Sequence, residues 1–261
     1  RKLMFLLDIL ERYFVFFPVR TLPNTPSDTN ITYEDLFFRS SDQYLIHGWF
    51  IPGTTKYTLL WFHGNGGNIG HRVEEITQMH NVLGVNIFIF DYRGYGKSEG
   101  KPSERGVYRD AEAAIKYLQN RPDVDPKCII YFGRSLGAAI AINTATTTPP
   151  LGIILVAPFT SLSDIAAIRF PNLPIGWLTK NRYNTISRIQ YIHNPLLIIH
   201  GNLDDIVPLN HSSQIFQKAN YPKTLKVLVG AGHNDTYSND ALNYWNIVKN
   251  FIGTLKLSSR T

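Results

Sequence analysis

From residue 36 onward, short apolar runs alternate with stretches whose apolar positions recur at helical spacing. The runs at 36–39, 44–51, 57–62, 86–91, 128–133, 152–157, 195–200 and 224–229 predict eight strands. Several, such as Asn86-Ile87-Phe88-Ile89-Phe90 and Leu196-Leu197-Ile198-Ile199, are apolar at nearly every position. Uninterrupted apolarity fits strands covered on both faces in a mostly parallel sheet. Helical patterns over 70–82, 104–119, 136–147, 208–219 and 239–252 fall between them, so the order reads as βαβ units and an α/β fold with helices on both faces. The first two runs, joined by Ser40-Ser41-Asp42-Gln43, predict an antiparallel hairpin at the sheet edge. One connection breaks the rhythm: 159–193, with Pro171, Pro174, Gly176 and Trp177, is expected as a small cap at the carboxyl ends of the strands, where open α/β sheets bind ligands. Its apolar residues Ile165, Ile168, Phe170, Leu173, Ile175, Trp177 and Leu178 would form a greasy pocket or dock the cap.

Two segments are expected. Residues 1–22 form an apolar amino-terminal segment, and 23–261 one large α/β domain. Residues 3–17 are strongly apolar but interrupted by Asp8, Glu11 and Arg12, and are shorter than the ~20 residues of a membrane span. Residues 1–17 therefore read either as a helix packed on the domain or as a membrane-surface anchor. A composition of 44% hydrophobic and 18% charged residues excludes disorder. The single cysteine, Cys128, opens a strand and forms no intrachain disulfide. The net charge of +6 is spread along the chain without basic–aromatic interleaving, which argues against nucleic acid as a partner and leaves anionic lipid surfaces open.

The chemistry concentrates in three loops. Gly133-Arg134-Ser135-Leu136-Gly137 follows a strand and precedes a small-residue helix, the context that turns a short G-x-S-x-G match into a nucleophile elbow with Ser135 exposed. A serine hydroxyl needs a histidine base. Of eight histidines, His233 lies after the last strand and C-terminal to Ser135, whereas His200 and His63 read as structural residues. The acid that orients it comes from Asp204-Asp205 after the seventh strand. Asp204 is favoured by its spacing to Val207-Pro208, Asp205 is the alternative, and Asp164 falls in the first turn of a cap helix. An oxyanion hole would combine the amide of Leu136 with one from His63-Gly64-Asn65-Gly66-Gly67-Asn68, that of Asn65. Phosphate-binding readings of the glycine loops fail on spacing: a dinucleotide fingerprint would need glycine at Ile69, and a P-loop would need it at Asp91. Asp91-Tyr92-Arg93-Gly94-Tyr95-Gly96 reads as a supporting loop.

With Asp91-Tyr92-Arg93-Gly94-Tyr95-Gly96-Lys97-Ser98, Asp204-Asp205-Ile206-Val207-Pro208 and Gly232-His233-Asn234-Asp235-Thr236, these motifs resemble the bud-emergence-homologue group of the α/β-hydrolase superfamily. That group includes the animal α/β-hydrolase-domain proteins of types thirteen and seventeen, and the likeness runs from about Leu10 to Ile252. The resemblance implies an eight-stranded α/β-hydrolase sheet, a Ser135–Asp204–His233 triad, and no metal or organic cofactor. It also implies frequent membrane association through the amino-terminal segment. The type-seventeen proteins remove palmitoyl groups from protein cysteines, although their cysteine-rich amino terminus has no counterpart here. The expected function is hydrolysis of a carboxylic ester or thioester of a small acyl, lipid or acylated-protein substrate through an acyl-enzyme on Ser135. A serine peptidase or amidase, and a catalytically idle membrane scaffold, are the alternatives.

Overall fold

The computed structural model describes residues 13–169 and 182–256. Eight strands form one sheet: β1 (Glu34–Arg39), β2 (Leu45–Ile51), β3 (Thr58–Phe62), β4 (Asn86–Phe90), β5 (Ile129–Arg134), β6 (Gly152–Val156), β7 (Leu196–Gly201) and β8 (Lys223–Leu228), in the spatial order β8-β7-β6-β5-β3-β4-β2-β1. All neighbours run parallel except β2, which is antiparallel to both β1 and β4. The expected edge hairpin is therefore β1–β2. At the other edge, β8 carries Lys223 and Lys226, charges that discourage pairing with another chain.

Alternation along the buried strands sends side chains to two separate cores. Leu60, Phe62, Phe88 and Phe90 pack with α2 (Glu104–Gln119) and α3 (Leu136–Ala145) on one face. Leu59, Trp61, Ile87 and Ile89 pack with α1 (Val73–Leu83) and α7 (Ala241–Thr254) on the other. The α1 helix grows out of a short 3-10 turn whose cap is Asn68, accepting from the Gly70 N–H at 3.0 Å. Ser103 caps α2 by accepting from the Gly106 N–H. The α3 helix is buried almost all round, which its run of alanines permits in a narrow space against the sheet.

Between β6 and β7 the chain forms α4 (Leu162–Arg169) and α5 (Thr185–Arg188), and α6 (Asn210–Lys218) precedes β8. Asp164 lies in the first turn of α4, and its carboxylate accepts from the Thr160 and Ser161 hydroxyls. Phe170, Leu173, Ile175, Trp177 and Leu178 of the expected cap lie outside the described residues, as do residues 1–12 of the expected surface anchor. No helix among the described residues is long and apolar enough to cross a membrane.

Residues 15–21 form a strap that the strand pattern does not predict. Phe17–Pro18 pairs in parallel with Gly66–Gly67, and the Asn68 side-chain amide donates to the Val19 and Thr21 carbonyls at 2.9 and 2.7 Å. Its first two residues, Val15 and Phe16, are buried.

Two glycines make the β5–α3 turn sterically possible. A Cβ on Gly133 would stand 2.6 Å from the Gly137 carbonyl oxygen, and one on Gly137 would overlap the Phe62 carbonyl. Gly137→Ala is thus expected to destabilise the fold by about 2–3 kcal/mol or more, as overpacking does. Gly253→Ala, on an open helix surface with nothing within 4 Å, should instead leave stability unchanged or raise it by a few tenths of a kcal/mol. Urea unfolding followed by circular dichroism checks both.

Candidate active site

Ser135 sits where β5 ends and α3 begins, with φ 51° and ψ −115°, a backbone conformation rarely adopted by a side-chain-bearing residue. Its N–H donates to the Val156 carbonyl at 2.9 Å and its carbonyl accepts from Ala138 N–H, so the turn is held on both sides. A Cβ on Gly64 would lie 3.9 Å from Ser135 Cβ, which places the glycine loop after β3 directly against the serine.

That loop is oriented peptide by peptide. Buried His63 donates from Nδ1 to the Gly64 carbonyl at 2.7 Å. Carbonyl and N–H point opposite ways across a trans peptide, so the Asn65 N–H is turned away from the His63 ring. The next carbonyl, that of Asn65, accepts from Tyr95 Oη at 2.7 Å and from the Phe17 N–H at 3.0 Å, and the Asn65 side chain donates to the Val15 carbonyl. Tyr92 Oη donates to the His63 carbonyl. The supporting role read for 91–96 thus takes concrete form. Neither the Asn65 N–H nor the Leu136 N–H has a hydrogen-bond partner among the described residues.

On the other side, the loops after β7 and β8 are stapled together. Leu203 N–H donates to the Ala231 carbonyl at 2.9 Å and Gly230 N–H to Asn202 Oδ1 at 2.7 Å. This sets Asp204 opposite His233, with Nδ1 to Oδ2 at 2.6 Å. Asp204 Oδ1 accepts from the N–H groups of Ile206 and Val207. Burial opposes the charge on Asp204, but hydrogen bonds from His200 and His233 outweigh it and hold the carboxyl well below the usual carboxylate range. An ionised Oδ2 can only accept, so His233 donates from Nδ1, which in the neutral ring leaves the lone pair on Nε2. Asp205, the alternative acid, is exposed and has no bond to the ring.

Ser135, Leu136, Asn65 and His233 line one cavity of about 1060 Å³, with Phe14, Phe17, Leu162 and Val207 among its apolar walls. Among the described residues no hydrogen bond joins Ser135 to the His233 ring, a loose geometry common before substrate binds. No group of three or more His, Cys, Asp or Glu among the described residues is placed to hold a metal ion.

Three supports escape a motif-based reading. Arg134, inside the G-x-S-x-G motif, donates to the His233 carbonyl at 2.8 Å and reaches Glu75 at 3.3 Å. His200, read as structural, is fully buried in β7; its Nε2 lies 3.1 Å from Asp204 Oδ2, and Ser212 holds its Nδ1. The strap at 15–19 pairs with residues some 50 positions away, which no local signal announces. A cationic residue inside the motif was the one visible hint, at Arg134.

Such a sheet order, with a strained serine turn at the end of its fifth strand, defines an α/β-hydrolase. The chain belongs to that superfamily, and within it to the family described as serine aminopeptidase, S33, whose model matches residues 53–187. It is 39% identical over 228 residues to an uncharacterized protein of Mycobacterium tuberculosis, covering 86% of this chain and 81% of that one. It is 35% identical over 266 residues to the α/β-hydrolase domain-containing protein WAV2 of Arabidopsis thaliana, covering 92% and 86%. The Pyrococcus furiosus esterase Pf2001 shares the fold with a TM-score of 0.78 at 23% identity, covering 92% of this chain and 98% of that one. The chain is accordingly a hydrolase of the α/β type.

His63 offers a test of this framework. Burial, followed by the nearby Arg72 charge, pushes its pKa down to about 3. The unfolded chain, with histidine near 6.5, binds the proton first, so the His63 contribution is complete above about pH 6.5 and is lost as pH falls towards 3. His63→Asn, which can still donate to the Gly64 carbonyl, should close its stability gap to the wild type as pH drops from 7 to 4. A gap constant over that range in chemical denaturation would contradict the assignment.

Proposed function

We propose that the protein is a serine hydrolase that cleaves carboxylic esters or thioesters through an acyl-enzyme on Ser135. The observation that carries this reading is the 2.6 Å Asp204–His233 bond at the wall of the cavity that Ser135 lines. With Nδ1 occupied by the carboxylate, His233 Nε2 takes the Ser135 proton as Oγ attacks the acyl carbon. The oxygen that becomes negative is met by the N–H groups of Asn65 and Leu136, both without other partners among the described residues. In related chemistry one such donor is worth about 3 kcal/mol of transition-state stabilisation. The imidazolium then gives its proton to the departing alcohol or thiol, and water activated by the same ring releases the acid and restores Ser135.

The family description raises an aminopeptidase as a second reading. An aminopeptidase must accept a substrate ammonium, for which a carboxylate wall is the natural partner. The described lining of this cavity holds Arg72, Arg134, Arg169 and Arg182 and no Asp or Glu, which favours ester or thioester over a free amino terminus.

A fluorophosphonate probe should label wild-type protein on Ser135 and leave folded Ser135→Ala unlabelled. The same variant should lose hydrolysis of 4-nitrophenyl esters by up to about 10⁶-fold, as removal of a triad serine does elsewhere. Folded wild type that resists the probe and hydrolyses only aminoacyl amides would overturn the proposal.

A further inference from the structure

The charges around the cavity are one-sided. Four arginines are among its lining residues and, among the described residues, no carboxylate is, although the rest of the wall is largely apolar. Of the acidic groups nearby, Asp204 bonds His233, and Asp164 accepts from Thr160 and Ser161. Buried Glu75 stands close to the guanidiniums of Arg72 and Arg134, and buried Asp91 also interacts with Arg72, but neither carboxylate lines the cavity. Burial pushes both carboxyls up, against the pull of these guanidiniums, which weakens the neutralisation.

These cations have a definite place relative to the proposed chemistry. The leaving atom must sit at His233, since that ring returns the proton to it. Arg134 donates to the His233 carbonyl itself, and Arg72, half-buried, donates from Nη2 to the Gly66 carbonyl at 2.7 Å while its buried Nε has no partner. Arg72 lines the same cavity as His233 and Asn234. Phe159, Leu162, Ile165 and Ile206 supply an apolar stretch of its wall.

Resting on the serine-hydrolase reading, we infer that the preferred substrates are acyl esters or thioesters whose leaving group is anionic, with a phosphate or carboxylate recognised at Arg72. A guanidinium half-buried at a cavity wall attracts an anion more strongly than a fully exposed one does.

Two matched pairs test the charge and its source. Decanoyl-coenzyme A against the decanoyl thioester of N-acetylcysteamine tests a soluble phosphorylated thiol. 1-Decanoylglycerol 3-phosphate against 1-decanoylglycerol tests a lipid headgroup. In at least one pair, kcat/KM for the anionic member is expected to exceed that of the neutral one by about tenfold at low salt, and the ratio should shrink as potassium chloride is added. Arg72→Gln should cut the ratio by at least about fivefold, while Arg72→Lys, which keeps the charge, should retain most of it. A ratio at or below one in both pairs, or an unchanged ratio in folded Arg72→Gln, overturns the inference. Ser135-dependent turnover of the neutral members with no charge preference sinks it alone. Absence of all turnover sinks the hydrolase reading with it. The salt series needs only the wild-type protein, so a misfolded variant leaves the test intact.

Discussion

Asp204 carries its charge where its side chain has no access to solvent, and the donors around it make that tolerable. Two backbone N–H groups bind one oxygen; His233 binds the other, with His200 beside it at 3.1 Å. An isolated carboxylate in such a place would take up a proton. Because it stays ionised, the tautomer of His233 is decided, and with it which ring nitrogen retains a lone pair. His200 is in turn held by Ser212 and the Val207 carbonyl, so the orientation of the acid is fixed by the buried end of β7. The carboxylate is thus where fold and proposed chemistry meet.

Around that pair the backbone is shaped by close approach. Gly133 and Gly137 let α3 start against β3 and β5, and the unusual dihedral angles of Ser135 follow from packing that close. The glycine loop across the cavity is held by His63, Tyr95 and the strap, which fix successive peptides in opposite senses. Phe17 of the strap and Phe14 just before it also line the cavity while remaining more than half exposed. The strap therefore joins the geometry of the glycine loop to the wall that a substrate would touch.

Much of this was legible in the sequence. Strands buried on both faces announce themselves as unbroken apolar runs, and all eight expected runs coincide with strands to within a residue or two at most ends. Ser135, Asp204 and His233 can be singled out as candidates because each lies in a loop directly after such a run. The choice between Asp204 and Asp205 could only be favoured from spacing; the structure sets one against His233 and leaves the other exposed. What escaped the reading is long-range. Arg134 reaches a carbonyl 99 positions away, and the strap pairs with a loop beyond three strands, so neither leaves a periodic trace. The short helix Leu162–Arg169 lacks a strong amphipathic pattern, having only Ala166 buried. In each case the partner lies outside the window that a local pattern can cover.

The account rests on the Asp204–His233 hydrogen bond, and proton NMR of protein labelled with ¹⁵N-histidine observes it directly. The prediction is a ring N–H resonance far downfield of the amides, assigned to His233 Nδ1, that disappears in folded Asp204→Asn and shifts when a phosphonate occupies Ser135. A His233 ring with no such resonance at neutral pH, or one indifferent to both changes, would contradict the account.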